Sequence, residues 1–215
     1  IKRLQLMELA HPNQPLLYRL AREAPGTYHH SIVVSNLAES AVEAVGGDPL
    51  FARVAVLYHD VGKLVRPTFF IENQGHIDNP HDLLDPQTSA RVILDHVSDG
   101  VRLAKKARIP SAIVSIIEQH HGTSLVRYFY QRALDMGADV AEEDFRYKGP
   151  KPQTKEAGVI MLADSVEATV RSAAGSGRLV RPKDKAAEGK DTLESIVTRI
   201  IKDRVEDGQL DECDL

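Results

Sequence analysis

Apolar residues recur along this chain at intervals of three and four positions, the spacing of one face of an α-helix. No segment alternates apolar and polar residues as a half-buried strand does. The pattern predicts helices over residues 4–10, 16–24, 27–44, 49–60, 85–97, 100–107, 111–121, 125–136, 154–174 and 193–205. We therefore predict an all-α fold, a bundle of roughly nine helices with short connections, in a single domain spanning residues 1–215.

Several predicted boundaries carry residues that start or end helices. Asp48-Pro49 and Asp85-Pro86 each combine an N-cap residue with a first-turn proline, and Thr27 is a further N-cap candidate. Gly62 is predicted to end the fourth helix. Segments rich in Pro, Gly or Lys are predicted as loops at 66–80 and 145–152, and as a mobile polar stretch at 178–190.

The composition is that of an ordinary globular protein, with 215 residues and a net charge of -4. This negative balance argues against binding to DNA or RNA polymers, which needs a basic surface. The single cysteine, Cys213, excludes an internal disulfide framework and fits a reducing compartment. Because Cys213 lies in an acidic tail, we expect its side chain to be exposed.

The sequence contains no long apolar stretch and no secretory signal. A membrane span needs about 20 consecutive apolar residues, and none is present. The sequence begins at Ile1 rather than at methionine. We expect it to be one domain of a longer protein.

The stretch Tyr58-His59-Asp60-Val61-Gly62-Lys63 places an imidazole next to a carboxylate at the end of an apolar run. Neighbouring residues on a helix point about 100° apart, so both side chains reach one centre only where the helix ends. Asp60 has two oxygens and can bridge two metals. An isolated His-Asp pair is more often a solvated helix end, so the rest of the chain must decide between these interpretations.

Further candidate metal ligands occur at helix ends and inside an apolar face. His29-His30 opens the third predicted helix, His96 lies near the end of its helix, and His120-His121 ends another. Asp164 follows the apolar run 159–163, where an unpaired carboxylate is costly. Imidazole and carboxylate ligands suit iron, manganese or zinc, and the lack of thiolates excludes a structural cysteine-type zinc site.

The order of these residues resembles the metal signature of the HD superfamily of metal-dependent phosphohydrolases, in its two-metal branch. Within that branch, almost the whole chain resembles the PgpH family of membrane-anchored cyclic-di-AMP phosphodiesterases. The motifs that carry the resemblance are 24–31 (APGTYHHS), 58–63 (YHDVGK), 117–123 (IEQHHGT), 145–154, 161–171 and 207–213.

The resemblance implies two divalent transition metals, iron or manganese, and assigns their ligands. One metal is expected on His30, His59, Asp60 and Asp164, and the other on Asp60, His96, His120 and His121. His29 is then expected beside the ligands or in a structural role. The loop or surface histidines are expected to be His11, His76 and His81, of which the last two are also candidates for the site entrance.

The resemblance also implies the reaction, which is hydrolysis of cyclic-di-AMP to linear 5′-pApA. Two metals about 3.5–4 Å apart can share a hydroxide at neutral pH, and this hydroxide attacks phosphorus in line. His59, Asp60 and Lys63 are the residues expected to take part in catalysis. The domain is expected on the cytoplasmic side of a bacterial plasma membrane, and a homodimer is an option.

Four residues are candidates for contacts with a cyclic dinucleotide. Lys63 either neutralises a phosphate oxygen or is an exposed lysine after a helix. Arg171 lies two helical turns after Asp164 and either reaches a phosphate or forms a surface salt bridge. Tyr147 and Tyr128 either stack on adenine or belong to the core.

Several other functions stay open at the level of sequence. The cyclic-di-GMP branch has a Gly-Tyr-Pro signature after its paired histidines, where this chain reads GTSLVRY at 122–128. The alarmone hydrolases have Glu-Asp after the HD pair, where this chain has Gly62-Lys63. The further alternatives are a hydrolase of mononucleotides, an HD domain that only binds or signals, and an HD-like di-iron oxygenase.

Overall fold

The structure, a computed structural model, describes residues 1–182 and 189–215. Within these ranges the chain forms nine α-helices and two isolated β-bridges. The helices are α1 Arg3–Leu9, α2 Pro15–Glu23, α3 Pro25–Ala44, α4 Pro49–Tyr58, α5 Pro86–Lys106, α6 Ser111–Gln119, α7 Arg127–Asp135, α8 Lys155–Gly175 and α9 Leu193–Glu206. The predicted all-α fold is confirmed. No helix in the described ranges is both long and apolar enough to cross a membrane.

Helix α5 is continuous where the sequence predicted two helices, 85–97 and 100–107. Asp85 caps it as predicted, because its side chain accepts a hydrogen bond from the Thr88 amide at 2.9 Å. The predicted break between residues 97 and 100 is wrong. A Cβ on this glycine would lie 2.9 Å from Ile117 Cγ2 and 3.2 Å from the Gly62 amide nitrogen. Gly100 therefore lets two neighbouring segments approach α5 and does not end the helix.

The segment after the HD pair is folded against the start of α3. It contains the short 3-10 helices Pro67–Phe69 and Ile71–Asn73 where a loop was predicted. Thr27 is not the N-cap of α3, which begins at Pro25. Instead the Thr27 hydroxyl donates to Glu72 Oε1 at 3.0 Å, and the Thr27 amide donates to Asn73 Oδ1 at 3.0 Å. These bonds fix the segment beside the HD pair.

His81 is buried, so the prediction that it is a loop or surface residue is wrong. Its Nδ1 lies 2.9 Å from Ser89 Oγ, and its Nε2 lies 2.8 Å from the Phe69 carbonyl oxygen. The ring also packs against Phe69 and Phe129. His81 therefore joins the segment after the HD pair to α5 and α7. His11 and His76 are exposed, as predicted.

The core of the bundle lies between α3 and α4. Val34 and Ala38 on α3 and Ala52 and Ala55 on α4 are fully buried, and their small side chains let the two helices pack closely. Helix α4 also contacts α6 and α8. Because α4 is covered on most sides, its C-terminal end lies inside the protein, as expected for a helix that is apolar around most of its surface.

The C-terminal residues fold back onto α8. The Cys213 side chain is half-buried, which corrects the prediction that it is exposed. Its sulfur lies 3.0 Å from the position that a Cβ on Gly158 would take, so the tail packs directly on α8. The central part of the predicted mobile stretch 178–190, residues 183–188, lies outside the described residues.

Candidate metal centre

The HD pair lies where α4 ends. Tyr58 is the last residue of α4, His59 is its C-cap, and Asp60 precedes the 3-10 helix Val61–Val65. The backbone leaves the α-helical path at Asp60, with φ -106° and ψ 14°. Both side chains are buried and point toward the same group of residues. The end of α4 therefore lets the adjacent His59 and Asp60 side chains reach one group of residues.

The structure brings the predicted ligand residues together in two groups that share Asp60. In each group, one ligand atom per residue can be chosen so that all lie within 4.8 Å of one another. The first group is His30, His59, Asp60 and Asp164. The second group is Asp60, His96, His120 and His121. They come from α3, the end of α4, α5, the end of α6, and α8.

The two oxygens of Asp60 face different groups. Asp60 Oδ2 lies 3.3 Å from His59 Nε2 and 3.6 Å from His30 Nε2. Asp60 Oδ1 lies 3.3 Å from His96 Nε2 and 3.5 Å from His120 Nε2. This orientation suits a carboxylate that bridges two cations.

Asp164 completes the first group. Its Oδ1 lies 2.9 Å from His30 Nε2 and 3.6 Å from His59 Nε2. The Asp164 carboxylate is buried, as its position directly after the apolar run 159–163 suggested. His29 is exposed and belongs to neither group, so no contact supports the expectation that it lies beside the ligands.

Backbone carbonyls hold three of the histidines through Nδ1. Each imidazole bonds the residue three positions earlier: His59 to the Val56 oxygen at 2.6 Å, His96 to that of Ile93 at 2.5 Å and His120 to that of Ile117 at 2.7 Å. A carbonyl oxygen only accepts, so each Nδ1 carries the proton. Each Nε2 therefore faces Asp60 and is the nitrogen left for a metal.

Tyr147 packs on His121. The two rings are stacked, with centroids 4.3 Å apart and an interplanar angle of 16°. Tyr147 also meets the edge of His96 at 5.9 Å. One face of the Tyr147 ring is thus used by a residue of the second group. Tyr128 is 71% exposed and its ring contacts Phe129, which lies outside both groups.

Lys63 lies at the edge of the centre, with little exposure. Its Nζ is 2.8 Å from Asp60 Oδ2 and 2.8 Å from Glu72 Oε1, and it lies over the Phe70 ring at 5.0 Å. Burial alone would lower the pKa of Lys63, but the two carboxylates raise it. The lysine is therefore charged, and the alternative that it is an exposed residue after a helix is wrong.

Sequence reasoning missed Glu167, which bonds His30. Glu167 Oε2 accepts a short hydrogen bond from His30 Nδ1, and Oε1 accepts from Arg171 Nε at 3.1 Å. The spacing of three residues between Asp164 and Glu167 puts both on one face of α8. That spacing was the available signal, but acidic residues at such spacing are common on exposed helices.

The acidic residues of the first group favour the protonated, positively charged forms of His30 and His59. Burial would lower the pKa of His30 and His59, but their acidic partners outweigh burial and raise the pKa to about 9 for His30 and about 10 for His59. Although burial opposes it, the same contacts hold the pKa of Asp60 and Asp164 well below the usual range. Two buried carboxylates thus create a negative potential between these side chains.

Comparisons with known proteins show which family this chain belongs to. The model of the HD domain family matches residues 27–169. Cyclic-di-AMP phosphodiesterase PgpH of Bacillus subtilis is 50% identical over 212 residues, which are 99% of this chain and 28% of that protein. The chain therefore spans little more than a quarter of the length of this relative.

Two solved structures are similar along most of the chain. A crystal structure of the HD domain of L. monocytogenes phosphodiesterase PgpH is 47% identical, with a TM-score of 0.82, and the match covers 94% of this chain and 90% of that one. The same domain solved in complex with cyclic-di-AMP matches with a TM-score of 0.84, again at 47% identity, over 96% and 91%. This chain therefore belongs to the HD domain family, in the branch that contains the PgpH HD domains.

Proposed function

We propose that this chain is a metal-dependent phosphodiesterase that hydrolyses cyclic-di-AMP to linear 5′-pApA. The observation that carries the proposal is the pair of buried ligand groups sharing Asp60, because paired cations are a recurrent device for hydrolysing phosphate esters. The substrate is inferred from the relatives. One is named as a cyclic-di-AMP phosphodiesterase, and another was solved with cyclic-di-AMP bound.

The residues present fit a pair of metals. His59 Nε2 and both oxygens of Asp60 are buried without a hydrogen-bond partner among the described residues. Lys63 Nζ lies 2.8 Å from Asp60 Oδ2, but as an ion pair without hydrogen-bond geometry. Buried polar atoms of this kind are costly unless something satisfies them. Cations coordinated by these atoms would satisfy them.

Each proposed metal has a four-residue ligand set with Asp60 common to both. The first set is His30, His59, Asp60 and Asp164, and the second is Asp60, His96, His120 and His121. Imidazole with carboxylate and no thiolate suits iron or manganese, which we propose as the metals. A bound pair supplies an activated water and positive charge for the phosphoryl oxygens. Since His59 and Asp60 hold the pair, their role in the reaction is to fix where it acts.

Lys63 is the cation that we propose for contact with a substrate phosphate. Its position 2.8 Å from Asp60 places the ammonium next to the ligand groups. Glu72 holds the other side of the ammonium at 2.8 Å and so orients it. An oriented, charged lysine can stabilise negative charge that develops on phosphoryl oxygens.

The remaining predicted substrate contacts are Tyr147, Arg171 and Tyr128. Tyr147 has one face on His121, so only the opposite face of its ring can stack on a base. Arg171 forms the salt bridge with Glu167 that the sequence left as the alternative to a phosphate contact. For Tyr128 and Arg171, a contact with substrate stays a prediction.

The proposed product follows from charge. Water attacks one phosphorus, the 3′ oxygen leaves with a proton, and the ring opens to a linear dinucleotide with a 5′ phosphate. The second cleavage requires the remaining diester to take the same place. The new terminal phosphate carries more negative charge than the remaining diester and competes with it for the place at the metals. We therefore expect pApA to accumulate and AMP to form slowly or not at all.

A substrate panel tests the proposal. Metal-loaded protein is incubated with cyclic-di-AMP, cyclic-di-GMP, linear pApA and a mononucleotide, and the products are separated by chromatography. We expect cyclic-di-AMP to be consumed fastest. Preference for cyclic-di-GMP or for a mononucleotide would refute the substrate assignment, and binding without turnover would identify a domain that only binds.

We also propose that the full-length protein is anchored in a bacterial plasma membrane with this domain in the cytoplasm. The support is the family resemblance of the motifs around His30, Asp60 and His120. The gene sequence upstream of Ile1 tests this, since an anchor requires apolar spans of about 20 residues. A homodimer stays a prediction, which light scattering of the purified domain can measure.

A further inference from the structure

His30 is held differently from the three histidines that bond backbone carbonyls. Its Nδ1 donates to Glu167, a side chain of α8, whereas His59, His96 and His120 each bond a carbonyl of their own segment. The orientation of His30 therefore depends on a side chain that mutation can remove. The orientation of the other three does not.

The Glu167 carboxylate is built into the fold. Its side chain is only 10% exposed, and each oxygen has its own partner. Oε2 accepts from His30 and Oε1 accepts from Arg171, whose side chain is 40% exposed. Asp164 lies on the same face of α8, one turn earlier, and reaches the opposite nitrogen of the His30 ring at 2.9 Å. One helix thus contacts both nitrogens of His30.

We propose that Glu167 is the positioning residue of His30 and that it strengthens metal binding by the first ligand group. By accepting from Nδ1–H, Glu167 leaves Nε2, which faces Asp164 and Asp60, as the nitrogen that binds a metal. The negative charge of Glu167 also makes the imidazole a stronger donor to a cation. The inference rests on the proposed metal centre but not on the identity of the substrate.

The contacts of Glu167 also determine which metal position its removal should weaken. The hydrogen bonds of Glu167 go to His30 and Arg171, neither of which belongs to the second group, and the histidines His96 and His120 keep their own supports. Removal of Glu167 should therefore weaken one metal position and leave the other unchanged. Arg171 acts one step further away because it bonds Glu167, so its removal should have a smaller effect on the same position.

The test is a calorimetric titration of manganese(II) into metal-free protein. We compare wild type, Glu167→Ala, Glu167→Gln and, as the control, Glu43→Ala, which removes an exposed glutamate of α3. Wild type should bind two ions per chain, one for each of the two ligand groups around Asp60. Glu167→Ala should lower affinity at one position by about 10- to 100-fold, the usual effect of losing such a support. Glu43→Ala should match wild type.

Glu167→Gln separates positioning from a structural role. The glutamine keeps an acceptor for Nδ1–H and nearly the same volume but loses the charge, so one position should weaken severalfold, less than in Glu167→Ala. Unchanged affinities in both variants would overturn the inference. So would equal weakening at both positions with a lower unfolding temperature. Wild type that binds two ions but hydrolyses no cyclic dinucleotide would refute the proposed function and leave this inference standing.

Discussion

Gly62 lies so close to His96 that any side chain at this glycine would overlap the backbone of α5. A Cβ on Gly62 would be 1.7 Å from the His96 carbonyl oxygen and 2.6 Å from the Gly100 amide nitrogen. Gly62 has no positive φ, so it is not the helix-ending glycine that the sequence predicted. Its role is to let α5 approach the HD pair, which places His96 Nε2 3.3 Å from Asp60 Oδ1.

Gly62→Ala should push α5 away from Asp60. We expect overpacking to destabilise the protein by about 1–3 kcal/mol and metal binding by the second group to weaken. Thermal unfolding and metal content measure the two effects. Gly175→Ala is the control, because a Cβ on Gly175, at the end of α8, meets nothing within 4 Å. If both variants behave alike, the close contact does not position His96.

Asp60→Ala should abolish hydrolysis and remove both metals, since each oxygen of Asp60 faces a different ligand group. Elemental analysis and an activity assay on the same preparations measure this. His11→Ala is the control, because His11 is an exposed residue outside both groups. Metal content near wild type in Asp60→Ala would show that the carboxylate does not bridge.

Metal binding should release protons at pH 7. The pKa values of about 9 for His30 and about 10 for His59 mean that both imidazoles are protonated at this pH, whereas a metal ligand must be neutral. We expect about two protons released per chain at pH 7, and fewer as the pH rises through 9 to 10. Calorimetry in buffers of different ionisation enthalpy counts them. A proton count that does not change over this range would contradict the assignment of these two ligands.

Tyr147→Leu should weaken metal binding by the second group, because the ring of Tyr147 is stacked on His121. A stacked aromatic pair contributes about 0.5–1.5 kcal/mol, which corresponds to about a two- to tenfold change in affinity. Tyr147→Phe keeps the ring and should bind metal like wild type. If Tyr147→Leu changes only KM for the dinucleotide, the residue serves the substrate instead.

The sequence was sufficient to predict most helices and the residues that come together around Asp60. Adjacent residues of metal-ligating types distinguish His59-Asp60 and His120-His121, and a carboxylate after an apolar run distinguishes Asp164. These signals are local, so they can be detected without the fold. Their assignment to two groups came from the family resemblance, and the structure brings the same residues together in those groups.

The supporting residues could not be predicted because their roles depend on distant segments. Glu167 meets His30 across 137 positions of sequence, and Glu72 meets Thr27 across 45. Gly62 was predicted to end a helix and Gly100 to begin one, but the lack of a side chain at both positions serves close packing. His81 resembles a loop histidine because its polar neighbours gave no sign of the aromatic rings that cover it.

The central claim is hydrolysis of a cyclic dinucleotide at the centre around Asp60, and a time course with cyclic-di-AMP tests it most directly. Wild-type and Asp60→Ala protein are purified in parallel, loaded with manganese or iron, and sampled as substrate is consumed. The account predicts that wild type converts cyclic-di-AMP to pApA, which accumulates before any AMP, while Asp60→Ala forms neither. AMP appearing without a linear intermediate, faster turnover of cyclic-di-GMP, or equal activity in the two proteins would contradict it.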